Sequence, residues 1–132
     1  MKPLIEIDDA RRRVVLTSGC NVMARDLNGA LIALVLEKPE RADHDFILDL
    51  RESYGDGSHD DVVRTAEMFR ACGAGRRASH TCFISFDGGF VHWARTMDFC
   101  FTNRTHQVFS TPEEAHAFLD RRQDGRRAAE AA

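Results

Sequence analysis

The chain has 132 residues, room for one compact core and not for two, and its 43% hydrophobic and 30% charged content is that of a globular domain rather than a disordered or fibrous one. Its 18 Lys and Arg against 21 Asp and Glu leave a formal net charge of -3, which gives no global attraction to a phosphate backbone and argues against nucleic acid as a partner. The longest apolar run, Ala30 to Leu36, is far too short to span a bilayer and the first residues carry no long apolar stretch, so a cytoplasmic protein without membrane insertion is expected.

Leu4 to Ile7 and Arg13 to Leu16 are short β-prone runs around Asp8-Asp9-Ala10, which reads as an antiparallel hairpin. Between Asn21 and Glu37, Met23, Leu27, Leu31, Leu34 and Val35 recur at helical spacing, Ile32 and Leu36 widen the stripe, and Pro39 supplies the stop. Gly29 inside this helix costs about 1 kcal/mol relative to Ala, and close packing is the reason expected for it. Phe46 to Leu50 is a nearly continuous apolar strand of the kind buried on both faces of a parallel sheet, followed by a polar, glycine-bearing loop from Arg51 to Gly57. Ser58 with Asp61 forms a helix N-cap leading into Val62, Val63, Ala66 and Phe69, and Gly73-Ala74-Gly75 ends that helix.

Thr81 to Phe86 is a second buried strand, stopped by Asp87-Gly88-Gly89. Phe90, Ala94, Met97 and Phe101 then define one helical face, with Phe99 turned about 180° away from Phe90. Trp93 and Phe99 fall outside that face, and a second copy of the chain covering them, in a homodimer, is expected. Val108-Phe109 makes the last strand, and Thr111-Pro112-Glu113-Glu114 opens a last helix whose buried side is Ala115, Phe118 and Leu119. Apolar periodicity stops at Asp120, which divides the chain into a domain over 1–120 and a disordered basic tail over 121–132.

Chemistry-bearing motifs are scarce. Cys20, Cys72, Cys82 and Cys100 lack a paired short spacing and read as reduced, mostly buried thiols. His80 and Cys82 share one strand face, but two ligands are half a metal site, and no zinc or other cofactor is expected. Ser58-His59-Asp60 has the residue types of a catalytic triad, yet consecutive side chains diverge along a helix start. Asp49, inside an apolar strand, is expected to bind a backbone donor or an Arg. With no assembled nucleophile, base and oxyanion site, the chain reads as a non-enzyme.

The order hairpin, three helix-linked strands and a closing helix, together with Arg12-Arg13-Val14-Val15-Leu16-Thr17-Ser18-Gly19, Asp45-Phe46-Ile47-Leu48-Asp49-Leu50-Arg51 and the stretch from Val108 to Leu119, resembles the SpoIIAA-like or STAS-like domains, which include small stand-alone bacterial proteins. The resemblance implies an α/β fold with a mixed sheet of about five strands and about four helices. It also implies a non-enzymatic regulatory module whose partner is another protein. In the anti-sigma-factor antagonists a phosphorylated serine opens the helix after the central strand, and Ser58 stands at the similar position. The antagonists read D-S-S-G there, whereas this chain reads Asp56-Gly57-Ser58-His59 followed by Asp60 and Asp61, whose charges oppose a phosphate. The alternative is a small-molecule or lipid-binding domain. Its crevice is then expected beyond the carboxyl ends of the parallel strands, where Arg51, Glu52, Ser53, Ser58, Asp87, Gly88, Ser110 and Thr111 gather.

Overall fold

The computed structural model describes residues 3–19, 24–52 and 58–131, so Cys20, Met23 and Ser53 lie outside the described residues. The hairpin forms as β1 (Leu4–Asp8) and β2 (Arg13–Thr17), paired antiparallel with Leu4 opposite Thr17. Its turn is held from outside: the Asp9 carboxylate accepts from His44 Nε2 at 2.9 Å and from Lys38 Nζ at 3.4 Å, and Arg41 adds two contacts of 3.4 Å. These donors, the Arg41 side chain first, hold the Asp9 carboxyl well below the usual carboxylate range.

From β2 onward the chain alternates. Helix α1 (Ala24–Glu37) and a short 3₁₀ helix (Pro39–Asp43) lead to β3 (Asp45–Asp49), and α2 (His59–Ala71) leads to β4 (Ser79–Ile84). Helix α3 (Phe90–Cys100) leads to β5 (Arg104–Phe109), and α4 (Pro112–Ala131) closes the chain. Among the described residues this makes one five-stranded sheet in the order β1-β2-β3-β4-β5, with only the first pair antiparallel.

That monotonic order decides the layering. Parallel strands added one beside the next, through crossovers of one hand, put every connecting helix on one face. Leu27, Leu31, Leu34 and Val35 of α1, Phe69 of α2 and Ala94 of α3 accordingly pack on Val14, Leu16, Phe46, Leu48 and Phe83. Ile47, Cys82 and Ile84 point the other way and are covered by Ala115 and Leu119 of α4. The sheet therefore has no point at which strand order reverses, and no crevice between helices splaying to opposite faces, which is where the strand-end rule places ligands.

Several elements differ from their sequence outlines. Gly29 is exposed, and a Cβ there would meet nothing within 4 Å, so close packing is not its reason. Leu36 is likewise exposed rather than part of the buried stripe. Strand β5 begins at Arg104, four residues before the Val108-Phe109 core, because its core-facing positions hold Arg104 and His106 and so break the apolar alternation. Arg104 is buried, and among the described residues no carboxylate is in hydrogen-bonding contact with it. Its Nη1 donates to His80 O at 3.1 Å and to Thr81 Oγ1 at 2.9 Å, its Nη2 to Ala42 O at 2.9 Å and His44 O at 2.6 Å, and its guanidinium lies 4.9 Å from the centre of the Phe46 ring. Burial pushes its pKa down to about 10, which still leaves it charged at neutral pH.

Residues 121–131, expected from sequence as a disordered basic tail, continue α4 as helix, with Arg122 exposed and Arg126 half-buried. Arg122 lies over the Phe118 ring at 4.9 Å, and Arg126 reaches Asp45 Oδ2 at 3.2 Å and Ala78 O at 3.3 Å. Asp120 adds a 2.9 Å ion pair with Arg13 Nη2, which lowers the Asp120 pKa.

Candidate functional site

On the three-helix face, toward the carboxyl ends of β3 and β4, the core leaves a cavity of about 370 Å³. The reason is local in each element: Asn28 on α1, Thr65 on α2 and Thr81 on β4 are short polar residues where large apolar ones would fill the space. The walls around them are apolar and largely aromatic, with Phe69, Phe83, Phe90, Trp93 and Phe101 beside Leu27, Leu31, Leu48 and Met97. Thr65 Oγ1 lies 2.8 Å from the Asp61 carbonyl oxygen and 3.0 Å from Asn28 Oδ1, which ties α2 to α1 at the cavity wall.

One end of the cavity is edged by helix starts. Ser58 caps α2 in a reciprocal box: its Oγ accepts from Asp61 N–H at 3.2 Å, and Asp61 Oδ2 accepts from Ser58 N–H at 3.3 Å. The backbone and hydroxyl donors of Ser58 lower the Asp61 pKa. Asp87 orders the opening of α3 by accepting from Gly89 N–H at 2.9 Å.

The deeper polar element is His106. Asp98 Oδ1 accepts from the His106 backbone N–H at 2.7 Å and stands 2.9 Å from ring Nδ1. The ring stacks on Phe83 at 6.0 Å and 16°, and Phe101 packs 5.0 Å from it. Burial pushes the His106 pKa down to about 4, against the opposing pull of its hydrogen bond to Asp98. The imidazole is therefore neutral at neutral pH. A carboxylate can only accept, so the ring proton sits on Nδ1 and Nε2 keeps its lone pair. Among the described residues Nε2 has no hydrogen-bond partner.

Of the residues singled out from sequence, Ser58, Asp87 and Trp93 line this cavity. Arg51, Glu52, Gly88 and Ser110 do not, and Ser53 lies outside the described residues. The guanidinium of Arg51 is occupied by Asp49, with Nε to Oδ1 at 2.9 Å and Nη2 to Oδ2 at 2.6 Å, which accounts for the acid in the apolar strand. Thr111 is a cap, accepting from Glu114 N–H at 3.3 Å. Trp93 and Phe99, paired from sequence as one dimer patch, stand roughly 120° apart around α3. Trp93 is 37% exposed and turned to the cavity, while Phe99 is 92% exposed. Sequence reading missed Thr81, Asp98 and His106. Thr81 and His106 are polar residues at core-facing strand positions, and Asp98 is an acid on α3 that meets His106 only through the fold.

On the opposite face, burial pushes the Cys82 thiol up to about 12, far from a reactive thiolate, and Cys72, Cys82 and Cys100 are all unpaired. Among the described residues no three His, Cys, Asp or Glu side chains are grouped to hold a metal ion, and no helix is long and apolar enough to cross a membrane. No protein family, curated protein or solved structure matches this chain; what is shown is the α/β class with a five-stranded mixed sheet.

Proposed function

We propose that this chain is a non-enzymatic binding module of STAS-like type that holds one small, mostly apolar molecule in the cavity beneath α1, α2 and α3. The observation that carries this reading is the cavity itself: about 370 Å³, lined mainly by aromatic and aliphatic side chains with a few convergent polar groups, within the size range of small-molecule sites. The chemistry of the lining supports binding over catalysis. A histidine titrating near 4 is a hydrogen-bond acceptor at neutral pH and a poor proton carrier, and the Ser58 hydroxyl is used in the cap. In this reading occupancy is sensed through the surrounding helices by a protein partner. Phe99, exposed on the outer side of α3, supports self-association as a further part of it.

Trp93 is the sole tryptophan and lines the cavity, so it reports occupancy directly. Titration with naphthalene should change its emission saturably, and Val62→Phe, which narrows the space between α2 and the sheet, should weaken that response. A linear, unsaturable response that is the same in Val62→Phe would overturn the reading.

A further inference from the structure

We infer that the occupant is a neutral hydroxylated ring compound, a phenol or an alicyclic alcohol, whose hydroxyl is held between His106 and Thr81. The inference rests on the cavity being a ligand site and adds the chemistry of what enters it.

Thr81 and His106 are register partners on neighbouring parallel strands, so both side chains rise from the same sheet face into the cavity lining. They offer complementary halves of a hydrogen-bonding site. His106 Nε2 carries a lone pair and no proton, because Nδ1 is bound to Asp98. Thr81 Oγ1 already accepts from Arg104 Nη1 at 2.9 Å, which orients its own proton away from Arg104, and among the described residues no acceptor takes that proton. One acceptor beside one donor matches a group that both donates and accepts through a single oxygen, which is a hydroxyl. An ether or ketone leaves Nε2 unmatched, and an ammonium leaves the Thr81 proton unmatched. Each unmatched buried group weakens binding.

The surroundings rule on charge and shape. Asp98 stands behind His106, and Asp61 and Asp87 stand among the lining, so a carboxylate meets mostly negative or acceptor groups. Arg104 has both terminal nitrogens engaged by protein oxygens. Arg25 is the one cation of the lining among the described residues; it is solvent-exposed, and its charge is felt by Asp61. Aromatic walls favour a ring, which can stack or meet them edge-on, over a flexible acyl chain.

The test is a calorimetric titration of the intact chain with naphthol, naphthalene, the methyl ether of naphthol, and naphthoate, with Trp93 emission as a second readout. Naphthol should bind roughly tenfold tighter than naphthalene, and the ether no better than naphthalene. Thr81→Val and His106→Phe should each shrink the naphthol advantage while naphthalene still binds. If either variant fails to fold, the wild-type series alone decides. Naphthalene or the ether matching naphthol overturns the hydroxyl assignment and leaves the cavity reading standing. Naphthoate binding tightest, and weakened by Arg25→Gln, overturns it in favour of an anion held by Arg25. If none of the four binds, the cavity reading falls and the hydroxyl assignment falls with it.

Discussion

His106 gives the chain a defined acid sensitivity. Its folded-state pKa lies near 4 against an ordinary 6.5, so between those values the unfolded chain binds a proton that the folded chain refuses. Its contribution to stability is full above about pH 6.5 and is lost as pH falls toward 4. Burial lowers His80 and His116 as well, and they add in the same direction. Asp120, lowered by Arg13, acts below that window, its contribution lost as pH falls below the ordinary carboxylate value of 3.8. Urea midpoints should therefore drop between about pH 7 and about pH 4.5, and the drop should be shallower in His106→Phe. An equal slope in the variant would mean that the burial of His106 is not what the chain senses. At the rim, Ser58→Ala removes the hydroxyl that accepts from Asp61 N–H and should cost about 1 kcal/mol in denaturant unfolding. No loss would mean that α2 starts elsewhere.

At the scale of elements, α1 carries a removable weakness and α4 an unexpected extension. Gly29 lies within α1 with open space around its Cα, so Gly29→Ala should stabilise the chain by roughly 0.5–1 kcal/mol, read as a raised Tm. Gly75 is the contrasting case. Its φ of +102° is one that side chains rarely adopt, and a Cβ would come 2.7 Å from Thr102 Cγ2, so the loop between α2 and β4 requires glycine there. In α4 the residues that hold the second half to the sheet are charged. Arg126 pairs with Asp45 of β3, while Arg122 stacks on Phe118 one turn earlier on the same helix.

At the scale of the whole molecule, the described residues form an asymmetric sandwich, with three helices on one side of the sheet and one on the other. A single helix covers the face with Ile47, Cys82 and Ile84 tightly. Three helices bridged by short polar residues leave the opposite face with the cavity. Phe99 lies outside both cores, and the dimer expected from sequence now depends on it without Trp93. Sedimentation at micromolar concentration should show a dimer that Phe99→Asp dissociates without lowering Tm, since an exposed side chain contributes little to the monomer. A wild-type monomer would remove the second copy as its covering.

The alternation of Val14 and Leu16, the helical spacing of Phe90, Ala94, Met97 and Phe101, and the Ser58–Asp61 box were legible in the sequence because each is settled within a few residues by backbone period or a local hydrogen bond. Those local rules were enough for the element order and the α/β class. The candidate site was not legible on the same terms. Thr81 and His106 meet only through strand register, His106 gains its tautomer from an Asp on the preceding helix, and Arg126 gains its role only once Asp45 of β3 lies within reach. Polar residues at core positions look like surface in one dimension. Only the tertiary structure supplies the partners that let them be buried.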